Sequence, residues 1–92
     1  MTSVELYAKA HHLDALADDV EVCVDTAITV SSSENWECEN AHDVRDALKH
    51  WRSAARSAAR NLRDEAARVR GEARRAADHE KEARERRDRQ PQ

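Results

Sequence analysis

Turn-formers are almost missing from this chain: one glycine and one proline in 92 residues. Sandwiches, barrels and doubly wound sheets need a turn every ten or so residues and β-branched or aromatic strands between them. With phenylalanine absent and aromatic residues at 3%, none of these folds is supported. The single glycine, Gly71, also excludes a glycine-rich loop that could cradle a phosphate. No run approaches the roughly 18 apolar residues of a membrane span. The basic start and apolar core of a cleaved secretory signal are missing too, so export is expected only by a signal-peptide-independent route. Two cysteines, Cys23 and Cys38, do not fix the redox compartment.

Alanine and arginine fill the chain instead, and both favour helix. Charge is unevenly spread. Residues 1–47 hold eleven acids and two bases, and residues 48–92 hold eight acids and fourteen bases. An acidic half followed by a basic half suits two elements that fold onto each other or onto a partner. It argues against nucleic acid as a partner, since such domains are usually basic throughout.

Apolar periodicity predicts a first helix over about 4–30. Leu6, Leu13, Val20 and Ala27 recur every seven residues, as do Leu16, Cys23 and Val30, the two lines of a heptad seam. Ala10, Ala17, Val24 and Ile28 widen the stripe beyond what one neighbour needs. "SSSEN" (31–35) is the expected turn, with Asn35 or Asn40 as N-cap of the next helix and Glu34, Glu37, Glu39 and Asp43 near its start. The second helix, about 36–80, steps by three and four through Ala41, Val44, Leu48, Trp51, Ala55, Ala58 and Leu62. One line continues through Val69, Ala76 and Ala83, while the other turns polar at Glu65, Glu72, His79 and Arg86. The expected fold is an all-α antiparallel two-helix hairpin over 1–70. Residues 71–92 are expected to form a charged helical overhang or disordered tail.

Trp36 sits among acids and amides at the corner. It either closes the seam over Ala27 and Val30 or stands in solvent to meet a partner. Cys23 and Cys38 fall near each other if the chain folds at 31–35, and read either as a disulfide or as two reduced thiols. A metal site from Cys23, Cys38 and His42 lacks a fourth ligand, so neither metal nor cofactor is expected. Lys49, Arg52, Arg56, Arg63 and Arg70 form a basic edge; Asp14, Asp18, Glu21 and Asp25 form an acidic one. The sequence leaves open whether these edges meet within one hairpin or across two. Ser53 and Ser57 have no general base beside a pocket, so no enzyme activity is expected.

Trp36-Glu37-Cys38 between two helices, followed by "NAHDVRDALKHWRSAARSAARNL", resembles the Trp-x-Gly (WXG) family, the early-secreted-antigen-like helical hairpins of bacterial type VII secretion. Cys38 stands in the glycine position, and Leu48 and Trp51 match the leucine and aromatic of the second helix. The resemblance implies a secreted protein-binding module without enzymatic activity. It would dimerise with itself, a related small protein or the helical region of a toxin, forming a four-helix bundle. The alternative is a cytosolic regulator or immunity-type protein that masks a partner without being exported. Such pairing would cover the thin seam (Leu6, Leu13, Leu16, Val20, Val24, Ile28, Val44, Leu48, Trp51 and Leu62), whose burial scarcely offsets backbone ordering.

Overall fold

The computed structural model describes residues 1–31 and 41–90. Two helices, α1 (Ser3–Ser31) and α2 (Ala41–Arg89), pack antiparallel along one another. The hairpin is 81 Å long and 18 × 13 Å in section. Of the expected turn at 31–35, Ser31 is the last residue of α1; residues 32–35, with the caps Asn35 and Asn40 and the motif Trp36, Glu37 and Cys38, lie outside the described residues. The choice between a Cys23–Cys38 bridge and two thiols turns on Cys38, which lies outside the described residues too; Cys23 is exposed.

Each terminus of α1 has an identifiable stop. Thr2 and Glu5 form a reciprocal capping box: Glu5 N donates to Thr2 Oγ1 (3.2 Å) and Thr2 N donates to Glu5 Oε1 (3.4 Å). At the other end no basic residue lies in the last turn of α1. Arg45 from α2 supplies the charge instead, its Nε donating to the Ser31 carbonyl at 2.6 Å. A cation there faces the negative end of the helix dipole.

The seam differs from the expected one by half a heptad. On α1 it runs through Ser3, Leu6, Ala10, Leu13, Ala17, Val20, Val24, Ala27 and Ser31. On α2 it runs through Arg45, Leu48, Arg52, Ala55, Ala59, Leu62, Ala66, Val69, Ala73, Ala76 and Glu80. One expected line in each helix is therefore right. The other, Leu16–Cys23–Val30 on α1 and Val44–Trp51–Ala58 on α2, lies on the exposed flank. Ala10, Ala17, Ala59, Ala66 and Ala73 take its place with no exposed surface at all. Side chains this small let two backbones approach closely.

Pairing also runs further than residue 70. Leu6, Ala10, Ala66, Val69 and Ala73 form the best-buried cluster, with Leu13 and Ala76 against it. The helices are latched at Glu80, which accepts from Ser3 N (2.9 Å) and Ser3 Oγ (2.6 Å). The polar line Glu65, Glu72, His79 does not end the seam, because it was never in it. Residues 71–80 belong to the hairpin, and α2 projects beyond it only over 81–89.

Three outcomes follow from this packing. Ala66→Leu should destabilise the hairpin by about 1–3 kcal/mol in urea unfolding, because the added methylenes push the helices apart. Gly71 is helical, and a Cβ there meets only the Arg75 and Arg74 side chains, at 3.6 and 3.9 Å. Gly71→Ala should therefore raise stability by about 0.5–1 kcal/mol. The Ser3 hydroxyl and amide hold the Glu80 carboxyl below its usual range. That contribution is complete at neutral pH and is lost as pH falls through the lowered value. Amide exchange of Ser3–Leu6, corrected for intrinsic rates, should thus lose protection on acidification in the wild type and at neutral pH in Glu80→Ala.

Candidate protein-docking face

The two flanks of the seam are chemically opposite. On one, Arg63 pairs with Asp18 (2.8 Å) and Glu21, Arg70 pairs with Asp14, and Arg52 Nε lies 3.0 Å from Asp25 Oδ1. The acidic and basic edges thus meet within one hairpin at three of the five basic positions. Lys49 and Arg56 continue that edge as exposed residues. The contacts around Arg63 raise its pKa further above an already permanent charge, with the Asp18 hydrogen bond the main cause. Exposed and half-exposed pairs of this kind mainly set register and add little stability.

The opposite flank divides into halves. Toward the open end it is charged: Lys9 on α1 lies near Glu65 on α2, and Arg68 binds both Glu65 and Glu72. The Arg68 hydrogen bond lowers the Glu65 pKa, with a smaller contribution from Lys9. Toward the turn it is apolar. Leu16 (49% exposed), Cys23 and Val30 (59%) line α1; Val44 (40%), Ala47, Trp51 (61%), Ala54 and Ala58 line α2. At about 100° per residue Leu16, Cys23, Val30, Val44, Trp51 and Ala58 lie roughly 70–90° round each helix from the seam, and Ala47 and Ala54 roughly 120–130°, all on the side away from the arginine pairs.

The seam beneath this flank is also less complete. Val20, Val24, Ala27, Ile28, Leu48, Ala55 and Leu62 are only partly covered, whereas the open half contains the fully buried Ala66, Val69 and Ala73. Of the ten seam residues expected from sequence, Leu6, Leu13, Val20, Val24, Ile28, Leu48 and Leu62 are drawn inward. Leu16, Val44 and Trp51 form the outer face instead. Val22, also exposed at 62%, stands apart on the outer surface of α1.

Sequence reading overlooked two polar contacts. Thr2-Ser3-Val4-Glu5 carries the capping-box spacing, a signal that apolar periodicity does not register. The Ser3–Glu80 latch sits on the alanine ladder extended one step at each end. His42 Nε2 lies 3.5 Å from Asp46 within α2. Among the described residues no three His, Cys, Asp or Glu side chains converge on a point where a metal could sit. No described helix is long and apolar enough to cross a membrane. A shallow groove beside Leu16, lined by Ala8, Lys9, His12 and Leu13, continues the apolar flank along α1.

Since Trp51 lies outside the seam, Trp51→Ala should leave the unfolding midpoint of the isolated hairpin nearly unchanged. Val69→Ala, at a fully buried position, should cost about 1–2 kcal/mol in the same urea titration. Equal losses would place the indole in the intramolecular core. No family model, curated protein or solved structure matches this chain.

Proposed function

We propose that this hairpin is a non-enzymatic protein-binding module, resembling the WXG-type partners of bacterial type VII secretion, and that it docks another helical protein through its turn-half apolar flank. The observation that carries the proposal is the placement of Trp51, Leu16, Val30 and Val44 outside a seam built of alanine. Of the two aromatic residues among those described, Tyr7 and Trp51, both are exposed, and Trp51 lies beside other exposed apolar groups. Indoles in such settings are common anchors of protein interfaces. The half-covered seam beneath it would gain most from a second helical layer, giving the four-helix bundle typical of paired hairpins.

The secretion assignment rests on the resemblance carried by Trp36-Glu37-Cys38 and the alanine-rich second helix. In it the protein is cytoplasmic until it pairs, and then leaves by a route that uses no cleaved signal. Co-expression with a candidate partner, a small helical hairpin or the helical region of a toxin, in a host with the type VII apparatus tests this. Recovery from the medium only when both the apparatus and the partner are present is the expected result. Retention inside the cell under the same conditions would instead favour a cytosolic regulator that masks its target.

A further inference from the structure

We infer that residues 20–30 of α1 are a conformational switch, helical while packed on α2 and able to unwind as a unit while the rest of the hairpin stays closed. Local composition points there first. The segment reads "VEVCVDTAITV", and seven of its eleven residues branch at Cβ: Val20, Val22, Val24, Thr26, Ile28, Thr29 and Val30. In the remainder of the two helices three residues do so, Val4, Val44 and Val69. A branched Cβ in a helix is held to few rotamers by the preceding turn, a loss of freedom that alanine and leucine largely escape. Val20, Val22 and Val24 also alternate with Glu21, Cys23 and Asp25, which is the period of an extended chain.

The helical state of this segment leans on contacts from outside it. Thr29 Oγ1 donates to the Asp25 carbonyl at 2.9 Å, a bond back onto the preceding turn that competes for one of the helix's own acceptors. The cation at its C-terminal end is Arg45, lent by α2. The earlier part of α1 is different. It has the Thr2–Glu5 capping box and the strong helix formers Leu6, Ala10, Leu13 and Ala17.

The surface under the segment is the weaker stretch of α2. Ala73, Ala66 and Ala59 form one row of the seam, and toward the turn the same row continues as Arg52 and Arg45. Arg52 Nε is covered yet makes no hydrogen bond, although Asp25 Oδ1 lies 3.0 Å away. A covered donor without an acceptor opposes closure. Val20, Val24, Ala27 and Ile28 are only partly covered, where Ala10 and Ala17 have no exposed surface. Poor helix preference and incomplete cover thus fall on the same residues, and such a stretch opens before the rest. Opening takes Cys23 and Val30 out of the apolar flank, so that face is complete only in the closed form.

Hydrogen exchange read by mass spectrometry on the full chain tests the switch. After correction for intrinsic rates, peptides within 20–30 should exchange about tenfold or more faster than those within 6–17 and 59–76. Val69→Ala weakens the open half; it should speed exchange within 59–76 and leave 20–30 unchanged, because the segment opens without that half. Val22→Ala combined with Thr26→Ala touches only the exposed side of α1. It should slow exchange within 20–30 by about tenfold, by restoring helix preference alone. Equal protection in both halves, a Val69→Ala effect of equal size in both, or exchange within 20–30 indifferent to the alanine pair overturns the inference.

Discussion

Alanine against alanine along the helix seam is the contact on which the rest of this molecule depends. Ala10, Ala17, Ala59, Ala66 and Ala73 are completely covered, and only Leu6, Leu13, Val69 and a few partly covered aliphatics add bulk between them. Such a seam gains little from transfer of each side chain out of water, because a methyl group contributes about 1 kcal/mol or less. Its advantage is proximity. Backbones that approach closely gain dispersion contacts along the seam, and a larger residue at any of these points would cost that proximity.

Choosing the small residues for the inside has a direct consequence outside. Leucine, valine and tryptophan that could have filled a wider seam are left on a flank, concentrated in the turn half. The other flank is occupied by Arg52, Arg63 and Arg70 with Asp14, Asp18, Glu21 and Asp25. These pairs lock the rotation of α1 about α2: turning either helix far enough to bury Trp51 would pull the arginines from their carboxylates. Modest individually, they act together with the alanine packing and select the same register. A hairpin with one charged flank and one apolar flank is thereby asymmetric, and asymmetry is what gives a two-helix unit a defined face to offer.

Stability along the hairpin is graded by the same arrangement. The open end has the fully buried cluster around Ala66 and Val69 and the Ser3–Glu80 latch, so it needs no further cover. The turn half carries partly covered Val20, Val24, Ile28 and Leu48 next to the exposed flank. A partner layered there would complete the weaker half and leave the stronger one unchanged. Binding and folding would then be coupled over roughly half the length, with the open end acting as a preformed clamp.

Sequence alone determined the elements. Scarce glycine, proline and aromatic residues, with alanine-rich three-four spacing and an acidic-to-basic shift, required two long helices and made their antiparallel pairing the natural arrangement. It also determined one line of each ladder, Leu6–Leu13–Val20–Ala27 and Leu48–Ala55–Leu62–Val69–Ala76, since in both helices these are apolar in any register. What only the tertiary structure decided is which second line completes the seam. On α1 the rows Ala10–Ala17–Val24 and Leu16–Cys23–Val30 are both apolar and both obey the heptad. On α2 the true row includes Arg45, Arg52 and Glu80, which hydropathy scores against it. Hydrophobicity along one strand of sequence measures how much each row gains by leaving water, whereas the choice between rows depends on how closely two backbones can meet and which charges then face each other. Those are properties of the pair, and they appear only when both helices are in place.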